Sequence, residues 1–184
     1  MKNTLQSISA YLVVIALLSL VGCSSYRLGT PAPIPFDSIY IRPANNESYA
    51  PQAQAIVSSQ IREAFITDGR LKIVSDPEEA DAVLIVKLKE YKRQAGARDS
   101  NDTTSALDFD LQLIADISLY NQNAGDYYFT ERTVTERSTA YINNPYGGAD
   151  VTEQQSYAQS EYQAMPRIAR DLGRKIANVV LSPW

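Results

Sequence analysis

The stretch Leu107-Asp-Phe-Asp-Leu-Gln-Leu-Ile-Ala-Asp-Ile-Ser-Leu-Tyr120 alternates apolar and polar residues along most of its length. Leu107, Phe109, Leu111, Leu113, Ala115, Ile117 and Leu119 form one set. Asp108, Asp110, Gln112, Ile114, Asp116, Ser118 and Tyr120 form the other. Successive side chains point to opposite faces of a strand, so this period predicts one long strand with a packed face and a wet face. The segment Ala82 to Arg93 reads the same way, with Leu84, Val86 and Leu88 opposed to Val83, Ile85, Lys87, Lys89, Tyr91 and Arg93. Polar residues from Gln94 to Ser105 predict a loop between the two. Asn121-Gln-Asn-Ala-Gly125 turns the chain, and the Thr- and Tyr-rich run Tyr127 to Ile142 returns. Three consecutive strands with short connections predict an antiparallel meander.

Working outward, Phe36 to Arg42 reads as a first strand stopped by Pro43. Asn45-Asn-Glu-Ser48 predicts a turn with several N-cap candidates, and Pro51 fits the first turn of a helix. Ala53, Val57, Ile61, Ala64 and Phe65 recur at helical spacing. Asp68-Gly69 predicts the helix end, with Gly69 in the left-handed position. Leu71 to Val74 is a short strand, and Asp76-Pro-Glu-Glu79 a turn or single helical turn. Thr152-Glu-Gln-Gln155 fits a capping box ahead of a last helix whose stripe is Met165, Ile168 or Ala169, Leu172, Ile176 and Val179 or Val180. Pro166 lacks an N–H, which predicts a kink or restart there. The order β-α-β-β-β-β-α predicts an α/β (α+β) two-layer sandwich, with a mixed, mainly antiparallel sheet and two helices on one face.

The chain has 184 residues, no histidine and one cysteine, Cys23. Without histidine, Ser-His-Asp and Cys-His nucleophiles and His-ligated metal sites are excluded. One cysteine excludes an internal disulfide and a CxxC motif. Carboxylate, lysine or tyrosine chemistry remains, and the balance leans to a binding or structural protein that needs no cofactor. A net charge of −4 disfavours general nucleic-acid binding, which calls for a basic footprint.

The first residues read as an address. Lys2 is a minimal positive region, and Tyr11 to Val21 is a run of apolar and small residues, short for a spanning helix. It ends in Leu20-Val-Gly-Cys23, which looks like the lipobox of a bacterial lipoprotein signal peptide; the alternative is a short membrane anchor with an incidental cysteine. The lipobox implies cleavage after residue 22 and acylation of Cys23. By similarity to proteobacterial lipoproteins, Ser24 after the cysteine implies sorting to the outer membrane. The division expected is therefore 1–22 signal peptide, 23–35 lipidated N-terminus and tether, and 36–184 a single domain. Ser24 to Pro35 carries Pro31, Pro33 and Pro35 and reaches about 40 Å at full stretch.

The main binding candidates are Lys87, Lys89 and Arg93, placed by strand alternation on one outward face with Tyr91 between them and Lys92 opposite. Such a row suits the phosphates of a lipid or sugar. Equally, Asp108, Asp110 and Asp116 on the next strand could take these cations up in cross-strand ion pairs. Asp76, Glu78, Glu79 and Asp81 read as a solvated turn rather than a calcium loop. Asp108 and Asp110 share a face as glycosidase carboxylates can, and also as any charged wet face does. Trp184, after Pro183, either packs on the domain or projects to a partner.

Taken in order, these segments resemble a known family. The lipobox is followed by Gly22-Cys-Ser-Ser-Tyr-Arg-Leu-Gly29, then a strand at Ile39 to Arg42 with Pro43-Ala-Asn-Asn-Glu47. A helix, Asp68-Gly-Arg-Leu-Lys-Ile-Val74 and Pro77-Glu-Glu-Ala-Asp-Ala-Val-Leu84 come next. Their succession resembles the LPS-assembly lipoprotein (LptE) family across nearly all of the chain after Cys23. The resemblance implies a non-enzymatic α/β domain, anchored by N-terminal acyl chains at the periplasmic side of the outer membrane. It implies a partner, the β-barrel LptD, whose lumen the domain plugs and whose assembly it assists, and a ligand, lipopolysaccharide. The competing class is a lipoprotein activator of cell-wall synthases, whose long periplasmic reach the short tether here does not match. A carboxylate-based hydrolase using Asp108 and Asp110 is the third.

Overall fold

The computed structural model describes residues 33–96, 108–141 and 157–182. The described residues hold six strands and two long helices: β1 (Ser38–Ile41), β2 (Asn45–Asn46), α1 (Ala53–Asp68), β3 (Lys72–Val74), β4 (Ala82–Ala95), β5 (Asp108–Asn121), β6 (Asp126–Tyr141) and α2 (Tyr157–Leu181). They make one mixed sheet in the order β3-β1-β4-β5-β6, with β2 alongside β4. β1 runs parallel to β3 and β4, as a strand-helix-strand crossover requires. β4, β5 and β6 form the expected antiparallel meander. The α+β sandwich is as expected from the sequence.

Leu111, Leu113, Ala115, Ile117 and Leu119 of β5 are fully buried, as the alternation demands. They share one core with Leu84, Val86 and Leu88 of β4, with Val57, Ile61 and Phe65 of α1, and with Met165, Ile168, Leu172 and Ile176 of α2. Both helices therefore cover a single face. They approach closely at Gly173. A Cβ there would lie 2.9 Å from the Gln60 carbonyl carbon and oxygen and 3.0 Å from the Ile61 nitrogen, backbone atoms of α1.

Several local expectations change. Asn45-Asn46 is not only a turn: it pairs in parallel with Lys87-Leu88, and the Asn46 side chain bonds the Ala50 carbonyl and the Ser48 backbone and hydroxyl. The helix begins later, with Gln52 at a cap position that makes no side-chain bond and Pro51 one residue ahead of it. α2 runs unbroken through Pro166. The carbonyl of Tyr162, four residues back, loses its N–H partner there. Gly69 ends α1 in the left-handed conformation, with φ at 72° and its N–H bonded to the Phe65 carbonyl. Pro77–Glu79 is a single turn of 3₁₀ helix whose Glu78 N–H donates to the Asp76 side chain. The capping box at 152–155 lies outside the described residues.

Asp81 ties three segments together. Its carboxylate accepts from the Asp37 and Ser38 backbone N–H groups, the Ser38 hydroxyl and the Asn123 side chain. The Ser38 hydroxyl bond, with the others, holds its pKa below the ordinary 3.8. A depressed carboxylate stabilises the fold above its unfolded value, and the contribution is lost as pH falls through the folded value. Wild type should therefore lose stability on acidification below about pH 4, and Asp81→Asn should be less stable at neutral pH with a flatter acid limb. Urea midpoints measured against pH check this; identical acid limbs would show that Asp81 contributes nothing.

The face of the sheet away from the helices carries a ladder of its own. Val74 pairs with Tyr40, Tyr40 with Val83, Val83 with Tyr120, and Tyr120 with Tyr127. The Tyr120 and Tyr127 rings meet edge to face at 5.1 Å. Tyrosine suits such a half-wet row, apolar on its ring and polar at its tip. Next to this row lies the charged part of the face.

Candidate functional site

Three bulges shape the helix-free face. In β4 the register shifts between Leu88 and Glu90, so Lys89 is an extra residue with no partner on β5. In β6 Thr130 and Glu131 together oppose Ser118, and a further shift places Tyr128 outside the ladder. A bulge bends the strand and re-aims side chains. Glu131 adopts a φ of 49°, unusual for a residue with a Cβ, and its N–H donates to the Ser118 hydroxyl at 3.0 Å. Left-handed backbone at a non-glycine position stores strain that surrounding contacts must hold.

The bulged strands enclose an open cleft of about 540 Å³, lined by Arg42, Ile85, Lys87, Lys89, Asp116, Ser118, Tyr127, Thr130 and Glu131. Lys89 is salt-bridged to Glu47 at 2.7 Å. Their hydrogen bond lowers the Glu47 pKa and raises that of Lys89. Lys87 sits directly across from Asp116, whose carboxylate accepts the Thr133 hydroxyl at 2.8 Å. Among the described residues, neither Lys87 nor Arg42 forms an ion pair.

Arg93 does not join them. The extra residue at Lys89 inverts the alternation, so that Tyr91 and Arg93 pair with the buried Leu113 and Leu111 and share their face, while Lys92 pairs with Gln112 on the opposite side. The single outward row of Lys87, Lys89 and Arg93 is thus corrected to two cations on the helix-free face and one under α2. There the Arg93 guanidinium bonds the Glu161 carboxylate through both Nε, at 3.0 Å, and a terminal nitrogen, at 2.8 Å. Glu161 is only 6% exposed. The guanidinium also lies 5.2 Å from the Tyr91 ring centre and 6.0 Å from that of Tyr157.

The buried hydroxyls of Tyr91 and Tyr157 have no hydrogen-bond partner among the described residues. Burial first, and then the nearby Glu161 charge, push Tyr91 well up and Tyr157 up to about 12. Glu161 acts on them as a neighbouring negative charge, not as an acceptor in bonding geometry. The group is an anchor for α2 rather than an open site.

Of the acids, Asp76 and Asp81 are taken up by the turn and the strand junction described above. Asp110 on the helix-free face accepts the Thr139 hydroxyl at 3.1 Å. No group of three or more His, Cys, Asp or Glu that could hold a metal occurs among the described residues. Cys23 and Trp184 lie outside the described residues.

Periodicity alone missed Arg42, Ser118, Tyr127 and Glu131. A signal was present: the apolar positions Leu84, Val86 and Leu88 are followed by Tyr91, three residues on, a phase change that a strand makes only through a bulge.

Comparison with known proteins adds the following. The family model described as "LptE: Lipopolysaccharide-assembly" matches residues 36–178. A comparison with curated proteins returns no match. A solved structure from Chlamydia trachomatis is similar, with a TM-score of 0.52 at 11% identity, covering 79% of this chain and 96% of that one. A minor lipoprotein from Acinetobacter baumannii gives 0.49 at 14%, covering 81% and 93%. Rare lipoprotein B from Shewanella oneidensis gives 0.45 at 12%, covering 79% and 91%. At such identities the likeness is one of fold.

Proposed function

The chain belongs to the LptE family of lipopolysaccharide-assembly proteins, and from that premise we propose that it is the lipid-anchored subunit of a lipopolysaccharide translocon. The observation that carries this reading is the family match, which runs from two residues before β1 through most of α2. In the proposal Cys23 bears the acyl chains, residues 24–35 tether the domain at the periplasmic side of the outer membrane, and the domain plugs the barrel LptD and assists its assembly. Its role is binding and structural, with no reaction catalysed. The fold supports a plug in one respect: among the described residues both helices pack on the same face, and the charged part of the other face is open to a partner or ligand.

Within this reading, Arg42, Lys87 and Lys89 meet the phosphates of lipopolysaccharide. Arg42 and Lys87 suit this best, having no ion-pair partner of their own among the described residues. Cations at an open cleft each contribute modestly and are screened by salt. Lys87→Glu with Lys89→Glu should weaken lipopolysaccharide binding by about tenfold while leaving the unfolding midpoint near that of wild type. Arg93→Gln should do the reverse. It leaves the buried Glu161 carboxylate without its partner, lowers stability by about 1–3 kcal/mol, and leaves binding unchanged. Unchanged binding in the lysine pair would mean that the cleft cations serve only the sheet.

A further inference from the structure

The cleft is not uniformly basic. Its cations, Arg42, Lys87 and Lys89, all lie at or just beyond β1 and on β4, and its acids, Asp116 and Glu131, lie on β5 and β6. Neighbouring strands are about 4.8 Å apart, so positive and negative walls stand one to two strand spacings from each other across the floor at Ile85. Neutralisation across the cleft is partial: after its bond to Glu47, Lys89 also feels Asp116 and Glu131 as nearby negative charges. Asp116 is turned toward Thr133 of β6 by its hydroxyl bond. Lys89 is drawn outward to Glu47. Lys87 and Arg42 form no ion pair among the described residues, and no hydrogen bond or ion pair engages the Glu131 carboxylate there.

Glu131 supplies a second, independent observation. Its backbone is held at positive φ by the Ser118 hydroxyl, which fixes an acidic side chain at the rim where a glycine would sit without strain. Tyr127, 49% exposed, lines the same cleft, its ring meeting that of Tyr120 edge to face. Two carboxylates in a cleft that also holds an aromatic ring make an environment that attracts an ammonium group.

We propose that the cleft binds the phosphoethanolamine head group of a phospholipid, with phosphate toward Arg42 and Lys87 and ammonium toward Asp116, Glu131 and the Tyr127 ring. The charged ends of that group are separated by a two-carbon link, which gives about one strand spacing. The proposal rests on the reading of this cleft as a phosphate-binding site and names a further head group that it would recognise.

The test is an NMR titration of the full chain in maltoside micelles with glycerophosphoethanolamine, glycerol phosphate and ethanolamine, followed at the amides of Lys87, Ser118 and Glu131. Glycerophosphoethanolamine should bind about fivefold tighter than either other compound. Glu131→Gln should reduce that ratio toward one without weakening glycerol phosphate, and Lys87→Gln should weaken both phosphates alike. Equal affinities, no shifts at these amides, or a ratio preserved in Glu131→Gln would overturn the proposal. Recovery of a barrel partner with the wild-type chain is unaffected by any of these results, so failure here is separable from failure of the translocon reading.

Discussion

Gly173→Leu should prevent the two helices from packing, and Gly173→Ala should already lower stability by about 1–3 kcal/mol. At this position α2 passes so close to α1 that a single added carbon meets the Gln60 carbonyl and the Ile61 nitrogen at 2.9–3.0 Å. Those atoms are backbone inside a helix and cannot rotate away as a side chain could. The helices must separate, and separation opens the core around Ile61, Leu172 and Ile176, all of them buried to 1% exposure or less. An isolated glycine inside a helix ordinarily costs up to about 1 kcal/mol relative to alanine, so propensity alone predicts the opposite sign. Urea unfolding separates the two. A lowered midpoint for alanine, with loss of cooperative unfolding for leucine, agrees with tight packing. A raised midpoint for alanine would show that the helices are free to adjust.

The second large effect belongs to Cys23. Each buried methylene contributes roughly 0.8 kcal/mol, so one acyl chain gives reversible binding and two or more give a lasting anchor. Cys23→Ser, expressed behind a leader that is cleaved without lipidation, should leave carbonate-washed membranes almost entirely, whereas wild type should stay. Mass spectrometry of the wild-type N-terminal peptide should find a chain beginning at Cys23 with acyl groups attached. An unmodified cysteine, or an uncut leader, would contradict the anchor and leave the apolar run as a plain membrane segment.

The sheet was legible where apolar and polar residues alternate without interruption, because burial on one side leaves no other pairing for β5. Its meander neighbours, the stripe of α1 and the glycine cap at Gly69 were legible for equally local reasons. The cleft was not. It is made by bulges at Lys89 and at Thr130-Glu131, and each bulge moves every later residue of its strand to the other face. One such shift took Arg93 from the open face to Glu161. Arg42 entered the cleft from beside β1, through a parallel pairing of β1 with β4 that no single segment encodes. Pro166 misled in a different way. A proline in a helix removes one bond, but packing along both sides of it, at Met165, Ile168 and Ala169, holds α2 in one piece.

In the proposed role this domain is the plug of a lipopolysaccharide translocon. The direct measurement is affinity purification of the full-length, lipidated protein from the outer membranes of its own cells, with its partners identified by mass spectrometry. A plug should bring down a large β-barrel, LptD, in stoichiometric amount. Recovery of a cell-wall synthase without any barrel would contradict it.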